Sequence, residues 1–82
     1  MNLNCYNMYP KEERKLVQDF IDDIDFMVSE LNNLYRFKVG QYDGDPEMDW
    51  TNSEARQITR LYDIIATGED IAHDLREYKE NI

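Results

Sequence analysis

Residues 16–35 read LVQDFIDDIDFMVSELNNLY, and this stretch decides the fold. At about 100° per residue, with Leu16 at zero, ten apolar residues fall within an arc of about 140°. They are Leu16, Val17, Phe20, Ile21, Ile24, Met27, Val28, Leu31, Leu34 and Tyr35, and no polar residue stands among them. Asp19, Asp22, Asp23, Asp25, Glu30 and Asn33 occupy the other side. Apolar residues three and four apart over five turns mark an amphipathic helix, since a strand would alternate.

Towards the N terminus the helical pattern begins at Pro10, a residue suited to the first helical position. Glu12 and Glu13 follow in the first turn, where the helix dipole favours negative charge. A helix from about Pro10 to Phe37 is predicted. Residues 1–9 (MNLNCYNMY) read as an arm that lies on the helices through Leu3, Cys5, Tyr6, Met8 and Tyr9. Phe26 and Phe37 point about 180° from the centre of the stripe. Asp22, Asp23 and Glu30 ring Phe26 at i−4, i−3 and i+4, which is the setting of a binding anchor or of a single exposed aromatic.

Towards the C terminus, Gly40 reads as the start of a connection spanning about 38–50. Asp43-Gly44-Asp45-Pro46 is turn chemistry. Trp50 either packs as a lid on the entry to the next helix, the commoner arrangement, or is exposed beside Tyr42, in which case both join Phe26 as candidate anchors. Thr51-Asn52-Ser53-Glu54 fits a capping box, with Thr51 reaching forward and Glu54 reaching back, and Ser53 as a second candidate cap. A second helix over about 52–79 follows. With Ile58 at zero, its apolar residues spread over about 180°, wider than packing on one neighbour requires. Ile58, Leu61, Ile65, Gly68, Ala72 and Leu75 are the expected self-association surface. Gly68 either lets another helix approach within one continuous helix or ends that helix, with Thr67 capping a third. The continuing apolar period favours continuity.

The fold expected is therefore all-α: two long helices in an antiparallel hairpin with an N-terminal arm, dimerising into a four-helix arrangement. Eighty-two residues make one small domain, whose core alone gives little stability and for which self-association is a usual remedy. Residues 10–82 form the hairpin domain.

Charge narrows the function. Between Val17 and Glu54 ten acidic residues face two basic ones, Arg36 and Lys38, so eight of the chain's nine net negative charges arise there. Direct binding to nucleic acid or to an anionic membrane is excluded, because phosphate contacts need clustered Lys and Arg. A basic protein partner fits. No apolar run approaches the ~20 residues that span a bilayer, and one cysteine allows no internal disulfide, so a reduced, cytoplasmic protein is expected.

Catalysis finds no residues. Asp43, Asp45, Glu47, Asp49, Thr51 and Glu54 occupy positions 1, 3, 5, 7, 9 and 12 of a window that resembles an EF-hand calcium loop. Met48 replaces the glycine of the sharp turn and Pro46 stiffens position four, which removes the geometry such a site depends on. The aspartates of the first helix lie outside its apolar stripe, so they do not point inward as a magnesium site between helices would require. His73, the only histidine, has Glu69, Asp70 and Glu77 one turn away and reads as a surface ion pair. Neither a metal nor a cofactor is expected.

Binding is left. The expected partner-binding residues are Asp19, Asp22, Asp23, Phe26 and Glu30 on the first helix, continued by Asp43, Asp45, Glu47 and Asp49. The principal expectation is a non-enzymatic inhibitor presenting this negative row to a basic, nucleic-acid-handling protein. Phage-encoded inhibitors of restriction, CRISPR or transcription machinery offer an analogy of charge and size. A structural or adaptor module that self-associates or pairs with partner helices is the second expectation. A small-ligand, calcium- or magnesium-binding protein is the third.

Overall fold

The computed structural model describes residues 9–82, so the proposed arm lies, apart from Tyr9, outside the described residues. Helix α1 runs Pro10–Gln41 and helix α2 runs Ser53–Glu80, and the two pack against each other as an antiparallel hairpin. No strand occurs among the described residues. The hairpin is a rod with extents of 54 × 21 × 20 Å. No described helix is long and apolar enough to cross a membrane.

Helix α1 starts where its composition requires. Pro10 occupies the first turn, Glu12 and Glu13 stand beside the N-terminal amides, and the Glu13 N–H donates to the Tyr9 carbonyl at 3.0 Å. Its end lies four residues beyond the expected Phe37. Gly40 continues the helix, and the Tyr42 N–H closes the last turn on the carbonyls of Lys38 and Val39. A glycine costs a helix only about 1 kcal/mol, which the flanking hydrogen bonds absorb.

The connection that follows is bonded to itself. Gly44 adopts φ 120°, a conformation only glycine takes easily. Asp45-Pro46-Glu47-Met48 is a turn closed by the Met48 N–H on the Asp45 carbonyl at 3.1 Å, and Asp45 Oδ1 also accepts from the Glu47 N–H at 3.0 Å. The Tyr42 hydroxyl donates to Asp49 Oδ2 at 2.9 Å. Trp50 does not cap the helix entry: its ring is 73% exposed.

Asn52, not Thr51, caps α2. Its Oδ1 accepts from the N–H groups of Glu54 (2.9 Å) and Ala55 (3.2 Å). Asn52 is the residue whose backbone turns extended just before the helix, so its short amide reaches both unpaired donors. Beyond the cap α2 is unbroken through Gly68, and Thr67 donates back to the Asp63 carbonyl instead of starting a new helix.

The core is a single seam. Its buried residues are Val17 and Ile21 of α1 and Ala55, Ile58, Ile65 and Ala72 of α2, and Ile21 and Ile58 are 1% exposed. Ile58, Leu61, Ile65, Gly68, Ala72 and Leu75 follow the alternating three- and four-residue steps of a coiled-coil seam. Small residues bring the helices close, and a Cβ on Gly68 would stand 2.8 Å from Val28 Cγ2. Near the loop the rings of Tyr35 and Tyr62 meet with centroids 5.9 Å apart at 53°.

Polar groups fasten the end distant from the loop. Arg76 forms an ion pair with Asp25, the Tyr78 hydroxyl donates to Glu13 Oε1, Lys79 Nζ donates to Gln18 Oε1 at 2.6 Å, and Arg14 Nη1 donates to the Ile82 carbonyl at 3.0 Å.

Candidate functional site

One neighbour cannot cover an apolar stripe about 140° wide, and α2 does not cover that of α1. Phe20, Met27 and Leu34 stay exposed. They recur every seven residues, and so do Ile64, Ile71 and Tyr78 on α2, which are exposed too. Between the helices runs an open groove of about 820 Å³. Ile24, Met27, Val28 and Leu31 line it from α1, and Ile64, Thr67, Gly68 and Ile71 from α2. Arg56, Thr59, Arg60 and Asp63 add its polar lining.

The six residues expected to pair with another subunit are placed largely elsewhere. Ile58, Ile65 and Ala72 are buried in the chain's own seam, and Leu61, Gly68 and Leu75 are half-buried. The apolar residues that α2 leaves exposed beside that seam are Ile64 and Ile71, each one position earlier than Ile65 and Ala72. The signal for this was present in the sequence. A seam with three–four spacing belongs to the nearest helix, and a second ladder with period seven beside it belongs to another.

Among the described residues Arg76 and Asp25 form an ion pair, and His73 Nε2 lies 3.1 Å from Glu77 Oε1. Arg56 and Arg60 therefore bring two cations to the groove without a carboxylate within ion-pair distance. Arg56 reaches only the Thr51 carbonyl, at 3.5 Å.

The acidic residues expected to bind a partner are exposed. Asp19, Asp22, Asp23, Phe26 and Glu30 share the outer side of α1, where Asp22 accepts from Gln18 Nε2 at 2.9 Å and Phe26 is 68% exposed. Asp43, Asp45, Glu47 and Asp49 are exposed in the loop, with Asp45 and Asp49 engaged in its internal hydrogen bonds. The two groups do not form one row. Residues 31–41 hold Arg36 and Lys38 and no carboxylate, and they put about 16 Å of helix between Glu30 and the loop. Among the described residues no three His, Cys, Asp or Glu side chains converge to hold a metal ion.

Two phenols lie above the usual tyrosine range. For Tyr78 the hydrogen bond to Glu13 is the main cause, followed by the charge of that carboxylate and partial burial. For Tyr42 partial burial leads, followed by the hydrogen bond to Asp49 and the charges of Asp49, Glu54 and Asp43.

No family model matches this sequence, and no curated protein and no solved structure matches it.

Proposed function

We propose that this protein is a non-enzymatic protein-binding module that works as a helix-pairing adaptor, with the groove between α1 and α2 as its seat. The observation that carries the reading is the pair of exposed ladders, Phe20–Met27–Leu34 and Ile64–Ile71–Tyr78, of which Met27, Ile64 and Ile71 line that groove. A period of seven is the spacing at which one helix meets another over several turns. Helix-in-groove recognition uses such apolar walls with a few polar groups to fix register.

A second reading has its own support. Phe26, exposed among Asp22, Asp23 and Glu30, gives α1 an anchor within a negative field, which suits an inhibitor of a basic, nucleic-acid-handling protein. This surface is centred on Phe26, away from the groove-lining residues of α1, and borders the Phe20–Met27–Leu34 ladder at Asp23 and Glu30.

Photo-crosslinking in the native host separates the two. A benzophenone side chain placed at Ile64 probes the groove, one at Phe26 probes the acidic side, and one at Asp70 on the outer face of α2 is the control. The adaptor reading expects a discrete adduct from Ile64. Adducts from Phe26 alone would favour the inhibitor, and an Ile64 yield no higher than that of Asp70 would sink the adaptor.

A further inference from the structure

The groove's occupant can be identified from the chain itself. Resting on the reading of the groove as a helix seat, we propose that a second copy of this chain fills it. The two hairpins pair face to face, and α1 of each lies along the groove of the other.

Three observations converge on a second copy. The first is period and length. An occupant must offer apolar residues every seven positions along the groove that residues 24–31 and 56–71 line, and Phe20, Met27 and Leu34 of another α1 do so. The ladder therefore complements the surface it belongs to, which is the condition for a two-fold interface.

The second is charge. The groove's lining holds two cations, Arg56 and Arg60, and one carboxylate, Asp63, and among the described residues neither arginine is in an ion pair, in a chain whose net charge is −9. Its complement is an apolar helix with an acidic edge. On α1, Asp23 and Glu30 lie seven residues apart, within about 60° of the Phe20–Met27–Leu34 ladder, and both are exposed without an ion pair. Acidic residues beside an apolar seam meeting basic residues of a neighbouring helix is how paired helices fix partner and orientation. Of the other carboxylates, Asp19 and Asp22 lie further round α1 and four more stand in the loop.

The third is area. The seam buries six apolar side chains, few for two helices of 32 and 28 residues. The open face along the groove, where residues 24–31 lie beside residues 56–71, is about 24 Å long at ~1.5 Å per residue and about 20 Å wide, so it offers roughly 500 Å² per copy, the size of a weak, concentration-dependent interface. Pairing supplies the second seam that a two-helix rod lacks.

Sedimentation equilibrium of the full chain, from micromolar to several hundred micromolar, reads the mass directly. The 9.9 kDa chain is expected at twice that mass. Two charge-reversed variants test the geometry: Arg56→Glu with Arg60→Glu, and Asp23→Lys with Glu30→Lys. All four positions are exposed, and unchanged helicity by circular dichroism confirms that each variant folds. Each alone is expected to weaken self-association by at least about tenfold, since like charges then face each other. An equimolar mixture is expected to restore the dimer, because in the mixed pair the two reversed edges face each other at one contact and the two native edges at the other.

A wild-type chain that stays monomeric throughout overturns the proposal, as do variants that dimerise as well as wild type. The outcome is separable from that of the groove reading. A monomer whose Ile64 probe still traps another protein loses only the second copy, whereas a monomer whose Ile64 probe traps nothing loses both.

Discussion

Val28 and Gly68 face each other across the hairpin, and a methyl group added to Gly68 would lie 2.8 Å from Val28 Cγ2. The absence of a side chain at position 68 therefore sets how near the two helices lie.

Gly68→Ala is expected to destabilise the hairpin. Alanine gains about 0.5–1 kcal/mol in an ordinary helix, but relieving this overlap costs about 1–3 kcal/mol, because valine is stiff about its first side-chain torsion. Gly40→Ala is the control. A Cβ there meets nothing within 4 Å, so the substitution should raise the melting temperature while Gly68→Ala lowers it. Equal shifts of the same sign would refute the close approach.

The cap of α2 is testable side by side with the residue that the sequence pattern favoured. Asn52→Ala should cost about 1 kcal/mol, because two N–H groups lose their acceptor. Thr51→Ala should cost within about 0.5 kcal/mol, as for a surface residue with no such role. Urea midpoints of the two variants check the ranking.

Two large apolar residues of α1 five positions apart should behave in opposite ways. Ile21→Ala removes a side chain that is 1% exposed and should cost about 2–4 kcal/mol. Phe26→Ala should change stability by no more than about 0.5 kcal/mol, because its ring already faces solvent. A large loss from Phe26→Ala would mean that the ring packs within the fold.

The Tyr78–Glu13 hydrogen bond makes the distal end of the hairpin sensitive to alkali. The fold raises the Tyr78 phenol above its ordinary value, so it favours the protonated form. That contribution is complete below the unfolded pKa of ~10 and is lost as pH climbs through the higher folded value. The Tyr78 ring resonances should therefore titrate late. Tyr78→Phe should remove part of the loss in denaturation midpoint between about pH 9 and pH 11 that wild type shows. A variant with the same alkaline loss as wild type would exclude Tyr78 as a contributor.

Much of this fold was legible because the apolar period of α1 is long and uninterrupted. The elements and their antiparallel pairing follow from it and from the acidic turn. Boundaries were harder. Gly40 looks like a stop, yet one glycine's cost does not outweigh hydrogen bonds that close on Tyr42, and the true turn begins with the positive φ of Gly44. At the start of α2, Thr51 and Asn52 are both capping residues by type, and only the extended backbone at Asn52 selects between them. Trp50 was misread because a residue before a helix packs on it only where the chain path brings it there.

The groove was half legible. Stripe width says that a helix has a second neighbour, but it does not say which residues each neighbour takes. Ile64 and Ile65 are adjacent in sequence, and the rotation of α2 about its own axis sends one to the open side and the other into the seam.

That rotation also has a bearing on how far assembly goes. Gln18 and Asp25 lie about 160–180° around α1 from Met27, and they are occupied by Lys79 and Arg76 of the same chain. The far flank of the hairpin thus offers a newcomer amides, carboxylates and cations that already satisfy one another, in place of a second apolar seat. A rod sticky on both sides would stack without end into filaments, whereas one wet flank leaves a single side for the pairing proposed above.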